Sequence, residues 1–265
     1  MKKLVAKRSR TCIIPHGGYM AELDTRFLER RLPPSVMQLS TFAHGDARDL
    51  ANSPNDGVLR GSPSFEASPP AIYINNPSYS TNPPDGVEYM SATKNTQRDW
   101  QKMSVSFWMW AGDIQAASGW MYAQPPVMSA IRTRGTTYAN WSGHFKIIPY
   151  TPRAINMLRR YITNERAIPT TTNCHSGATW THVCFACDWS IPQAKVYING
   201  TLNSSTITGA AGTIFTDPFE IRVGAEWFSN YAIQGWNGKL SKLIIFEGKT
   251  LTQAEVTEIY SQGRT

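Results

Sequence analysis

Hydrophobic and polar residues alternate along much of this chain with the period of two that a strand requires. The pattern is clearest from Trp180 to Asp188. Thr181, Val183, Phe185 and Cys187 fall on one side; Trp180, His182, Cys184 and Ala186 fall on the other. Met103 to Trp110 repeats it, with Val105, Phe107 and Met109 set against Ser104, Ser106, Trp108 and Trp110. Shorter strands are predicted from Val58 and over 71–74, 119–131, 144–148, 195–198 and 219–223. A longer one is expected over 236–246, broken by Asn237-Gly238. Turn chemistry separates them. Asn199-Gly200 is the strongest hairpin signal, because both residues tolerate positive φ. Asp56-Gly57 marks another turn, and 77–86, rich in Pro, Ser and Asn, reads as a loop. The period changes only near the end. Thr252 is a good N-cap with Glu255 three residues on, and Val256, Ile259 and Tyr260 give one apolar face to a short helix closed by Gly263.

Two other stretches depart from alternation. Leu23 to Leu32 reads as a short helix with Asp24 as its cap, stopped by Pro33-Pro34. Within 149–167, Ala154, Ile155, Leu158, Tyr161 and Ile162 stand at helical spacing after Thr151. A helical or irregular insertion is expected there, although Tyr161-Ile162-Thr163 also suits a strand.

Composition narrows the class. A chain of 265 residues fits one large all-β domain or two small ones and buries a sizeable core without staples. Charged residues are 17%, nine Trp are present, and Gly and Pro are frequent, as many short strands and tight turns require. Internal repeats and low-complexity tracts are absent. The net charge of +7 and pI near 9.3 permit contact with acidic partners. Part of that charge is concentrated in an arm, residues 1–33, bearing Lys2, Lys3, Lys7, Arg8 and Arg10. The same basic residues interrupt Leu4-Val5-Ala6, so no apolar signal-peptide core forms and general secretion is not expected. The four cysteines, at 12, 174, 184 and 187, do not form a disulfide framework.

The order of features in the last third resembles the laminin-G-like branch of the concanavalin A-like jelly rolls. The matching residues are Trp180, Val183, Asp188, Val196, Tyr197, Asn199, Gly200, Val223, Gly224, Gly238, Leu240, Leu243, Leu251, Thr252, Glu255, Val256 and Gly263. Residues 46–65 resemble the usual opening of such domains, and the Ser-x-Trp of Ser106 to Trp108 their central strand. The resemblance implies an all-β jelly-roll sandwich of two antiparallel sheets over 34–265, preceded by the arm and closed by a short C-terminal helix. It also implies that function resides in rim loops and on the concave face. Relatives are mostly secreted. A copy without an export signal is therefore expected in a phage or virus particle, as a capsid surface, decoration or fibre protein made in the host cytoplasm. The arm would join it to other virion proteins or to copies of itself.

Glycosidases of this fold carry a Glu-x-Asp-x-x-Glu strand, which sets two carboxylates across the scissile bond. The nearest run, Glu220 to Glu226, has Arg222 in the middle and spreads its ends over about 20 Å of extended chain. No enzyme is expected, and no catalytic residue is assigned. Cys184 and Cys187 have knuckle spacing, with Cys174, His175 and His182 nearby. Residues three apart on a strand face opposite ways, so buried small hydrophobes are expected rather than a metal site. Relatives bind Ca²⁺ at the rim through Asp and carbonyl oxygens. Asp46, Asp49, Asp56, Asp113 and Asp188 are candidate donors, but no dense acidic loop groups them, and no cofactor is assigned. Nucleic acid is not an expected partner, because basic and aromatic residues do not interleave; membrane insertion is not expected either. Trp108 and Trp110 on a strand read as packing, with a sugar platform as the alternative. The ligand-binding candidates are the aromatics Tyr138 and Trp141 in one loop and Trp227, Phe228 and Tyr231 in another. They suit adhesion to host glycans, or sugar binding by a free lectin module.

Overall fold

The computed structural model describes residues 35–39, 58–67, 70–75, 89–94, 101–111, 127–132, 143–150, 153–160, 165–170, 179–191, 193–209, 219–228 and 231–264. The arm (1–33), the predicted helix at 23–32, Tyr138 and Trp141 lie outside them, as do Cys12, Cys174, His175, Asp46, Asp49, Asp56 and Asp113.

Strands dominate the described chain. In order they are β1 (Ser35–Leu39), β2 (Val58–Arg60), β3 (Ser64–Ala67), β4 (Pro70–Ile74), β5 (Tyr89–Lys94) and β6 (Lys102–Ala111). Then come β7 (Met128–Arg132), β8 (Gly143–Tyr150), β9 (Ala154–Arg160), β10 (Glu165–Pro169), β11 (Trp180–Asp188) and β12 (Gln193–Ile198). The last are β13 (Thr201–Ser204), β14 (Thr208–Gly209), β15 (Phe219–Val223), β16 (Ala225–Phe228), β17 (Tyr231–Gly235) and β18 (Gly238–Glu247), followed by helix α1 (Gln253–Ser261).

Two eight-stranded antiparallel sheets and one two-stranded sheet result. The first runs β13-β12-β11-β6-β18-β4-β3, with β1 also paired to β18; the second runs β14-β10-β9-β8-β7-β15-β5-β2. Strand β18 takes β6 on one side and shares the other between β4 and β1. The sheets face each other across one core. Val105, Phe107 and Met109 of β6 and Val183, Phe185 and Cys187 of β11 meet Phe145, Ile147, Ile155, Met157, Ile221 and Val223 of the second sheet. Both alternating runs thus point the way their pattern indicates.

A second, smaller cluster lies on the outer face of the first sheet. There Cys184, Ala186, Tyr197, Ile244 and Phe246 pack with Leu251, Val256 and Ile259. Helix α1 forms as its caps dictate. Thr252 accepts from the Glu255 N–H and the Glu255 side chain reaches back to the Thr252 N–H, while Gly263 at φ 69° follows the last turn. The Asn199-Gly200 turn also forms, with φ of 49° and 75°. Glycine is doubly required at 200, since a Cβ there would stand 2.8 Å from Tyr260 Cδ1 of α1.

Three expectations change. The stretch expected to be a helical insertion contributes strands β9 and β10, which pair in succession after the predicted strand β8. Its helical spacing arose because β9 is buried on both faces: Ile155 and Met157 enter the core while Ala154 and Leu158 are buried on the other side. Apolar residues at nearly every position erase a period of two. The strand expected from Trp236 begins at Gly238 instead, with buried Trp236 preceding it. The loop expected over 225–236 is the hairpin β16-β17 followed by Trp236. Strand β5 carries no predicted counterpart.

Candidate functional site

The hairpin arises from a forced change of direction after β15. Gly224 has φ 88°, and a Cβ there would sit 2.7 Å from Ile74 Cγ2. Its N–H donates to Val127 O at 2.9 Å, and its carbonyl accepts from Trp236 N at 2.8 Å. The chain therefore leaves the second sheet at Gly224, runs out through β16, returns through β17 and enters β18. Phe228 registers with Tyr231 and Trp227 with Ala232, with a bulge between Glu226 and Trp227. Three predicted aromatics, Trp227, Phe228 and Tyr231, are thereby gathered on one two-stranded element. The same bend separates the nearest carboxylates. Glu220 belongs to β15 and Glu226 to β16, in different sheets, so they do not share the continuous strand on which a glycosidase pair is built.

The outer face of the first sheet carries a polar arrangement that the sequence did not announce. A bulge in β18 opposite β6 places Lys242 in the left-handed region at φ 49°. Its Nζ donates to Gly263 O at 3.1 Å, just beyond α1. His182, fully buried, shares a 2.9 Å hydrogen bond between Nε2 and Ser106 Oγ, and its ring tilts against Trp108 and Tyr260. Trp108 stacks on Tyr260 with centroids 5.5 Å apart. Burial, with Lys242 adding repulsion, holds the His182 pKa at about 3; burial lowers Lys242 to about 8. A serine beside a histidine resembles a nucleophile and its base. Here helix α1 seals the pair, with Ser106 1% and His182 0% exposed, so no substrate reaches it. It positions the helix. Trp108 accordingly packs against helix α1, not between the two sheets.

Cys184 and Cys187 join different clusters on opposite faces of β11, and burial pushes the Cys184 thiol up. Asp188, one of the calcium candidates, is used by its own turn. It accepts from Ser190 N at 3.1 Å and Ser190 Oγ at 2.5 Å and faces Lys102 Nζ at 3.5 Å. Burial works against its charge, but the bonds from Ser190 and the pull of Lys102 outweigh it and lower its pKa. Among the described residues, no group of three or more His, Cys, Asp or Glu side chains is placed to hold a metal ion. None of the described helices is long and apolar enough to cross a membrane.

Two facing antiparallel sheets, a closing helix and an aromatic hairpin at one end define a jelly-roll sandwich of lectin type. Residues 84–257 match the laminin-G-type family model described as the concanavalin A-like lectin/glucanases superfamily. That is more than half of the chain, and the chain belongs to this superfamily. No curated protein sequence matches it. Among solved structures, it is similar to the receptor binding domain of botulinum neurotoxin type G, at 15% identity and TM-score 0.58, over 87% of this chain and 51% of that one. It is also similar to the binding domain of botulinum neurotoxin serotype D/C VPI 5993, at 14% identity and TM-score 0.62, over 86% and 52%. A third is domain 4 of AbnA, a GH43 extracellular arabinanase from Geobacillus stearothermophilus, solved in complex with arabinotriose. Identity is 15% and TM-score 0.59, over 86% of this chain and 98% of that domain. The chain spans about half the length of the neurotoxin domains. At these identities the similarity shows the fold.

Proposed function

We propose that this chain is a non-enzymatic, lectin-like binding module of a phage or virus particle, a surface, decoration or fibre component that grips host-surface glycans. The observation that carries the binding role is the gathering of Trp227, Phe228 and Tyr231 on the β16-β17 hairpin. Aromatic residues give a sugar large apolar contact area at small entropic cost. The placement of Glu220 and Glu226 in separate sheets argues against glycoside hydrolysis. A glycan array tests the binding role. Specific binding is expected from the full chain and is expected to fall at least tenfold in a Trp227→Ala/Tyr231→Ala variant. Equal signals from both would remove the hairpin from the site.

The particle role rests on the sequence: the basic run Lys2, Lys3, Lys7, Arg8 and Arg10 suits an anchoring arm that meets other virion proteins or further copies of the chain. Deleting residues 1–33 should abolish incorporation into purified particles; full incorporation of the shortened chain would refute anchoring. A free lectin module is the second reading. It is favoured by the match over 98% of a single domain solved with arabinotriose. Sugar binding by a monomer that never co-purifies with particles would select it.

A further inference from the structure

Helix α1 covers only part of the outer face of the first sheet. Its cluster takes in Cys184, Ala186, Ile244 and Phe246. Beyond the helix end, toward the other end of the same strands, the face carries aromatic and charged side chains that remain partly exposed. Their positions follow from register. Tyr73 of β4 lies opposite Lys239 of β18, Lys239 opposite Trp110 of β6, and Trp110 opposite Trp180 of β11. Neighbours on each strand, Ile72 and Ile74, Leu240, and Met109, point into the core, so these four share the outer side. They form one straight row across four strands, with neighbours about 4.8 Å apart.

Contacts hold the row in place. Lys239 Nζ lies 5.6 Å from the Tyr73 ring centroid and 5.1 Å from that of Trp110. It also pairs with Glu66 of β3. Arg264, just past the helix, lays its guanidinium 4.2 Å from the Trp180 ring centroid. Cation–π contacts of this kind fix ring orientation. The Lys239 and Glu66 side chains retain 24% and 37% exposure, so the charged groups still meet solvent.

Along the chain, Lys239 of the row follows the hairpin. The hairpin base, Ala225 opposite Gly235, leads through Trp236 and Asn237 to Gly238, the residue before Lys239. Gly238 is confined where it stands. A Cβ there would clash with the Trp236 ring and sit 2.7 Å from Trp110 O.

We infer that the outer-face row Tyr73, Lys239, Trp110, Trp180, with Arg264 and Glu66, is a binding surface for an extended acidic polysaccharide. This rests on the lectin-like reading and names its ligand class. Each part of the row answers a part of such a ligand. The exposed portions of three rings offer apolar surface to sugar C–H groups. Lys239 and Arg264 offer cations to carboxylate or sulfate groups. Glu66 offers an acceptor to hydroxyls. Two cations against one carboxylate leave the row positive, and an extended polyanion is the occupant with matching charge and reach.

The test titrates the full chain with an oligogalacturonide and, separately, with a neutral xylo-oligosaccharide of equal length. Indole N–H signals of Trp110 and Trp180, assigned through Trp110→Phe and Trp180→Phe, report the row directly. The oligogalacturonide is expected to move both signals, to bind about tenfold or more tightly than the neutral chain, and to weaken as salt rises. Lys239→Gln and Arg264→Gln, which remove charge from partly exposed positions and leave the core intact, should each lower its affinity about tenfold with an unchanged circular dichroism spectrum. Binding without movement of the two indoles, undiminished affinity in both Gln variants, or no binding of the oligogalacturonide overturns the outer-face site. The hairpin is judged apart from this by the array response of Trp227→Ala/Tyr231→Ala, so either site can fail while the other stands.

Discussion

At Gly224 a hydrogen in place of a methyl decides the path of the chain. The φ of 88° is strained for any residue with a Cβ, and the space a Cβ would need holds Ile74. Gly224→Ala combines the backbone penalty with overpacking and is expected to cost about 2–4 kcal/mol, read as a lower urea midpoint. Loss of the hairpin geometry should accompany it, because the Trp236 N–H donates to the Gly224 carbonyl. Lys242 presents the reverse case, a long side chain at φ 49°. Nothing in its surrounding sequence, Leu240-Ser241-Lys242-Leu243, distinguishes it from an ordinary strand position. Bulges arise from how two strands pair, and β6 lies more than a hundred residues upstream. His182 was visible as a polar residue in an apolar run, but its partner Ser106 was not.

Helix α1 and the sheet beneath it form the most pH-sensitive element described. His182 is held neutral in the folded chain, with a pKa of about 3 against an ordinary 6.5. Its contribution to stability is complete above pH 6.5 and declines as pH falls toward 3, because the unfolded chain takes up the proton first. One pH unit is worth about 1.4 kcal/mol, so roughly 2 kcal/mol is lost at pH 5. Lys242, lowered from 10.5 to about 8, acts in the same direction at alkaline pH: between pH 8 and 10.5 the folded chain has released a proton that the unfolded chain still holds, so stability rises with pH. Urea unfolding of the chain and of His182→Gln at pH 7 and pH 5 checks the acid limb; the variant should show a loss smaller by roughly 2 kcal/mol. The helix itself was legible, since Thr252, Glu255 and Gly263 are local signals. Strands β9 and β10 were less so, since burial on both sides of β9 removes the alternation that identifies a strand.

For the whole molecule, the order of strands in the last third was legible because its cues are local: alternation in β11, Asn199-Gly200, and the cap of α1. The candidate row was not, because Tyr73, Trp110, Trp180 and Lys239 come from four distant segments and only register brings them into line. Trp227, Phe228 and Tyr231 were found as a group because they are close in sequence, although the hairpin that holds them depends on Gly224 meeting Ile74. The pairing of β18 bears on how the molecule is made. Strand β1, at residues 35–39, finds its partner only at Leu243 to Phe246, and β6 gains its second neighbour from the same late strand. During synthesis about two hundred residues emerge before that partner exists, so the first sheet stays divided, with open edges exposed to aggregation. Closing a gap of this length is slow. The nascent chain therefore completes its first sheet only after Glu247 has left the ribosome, and the final segment acts as the fastener of the whole sandwich.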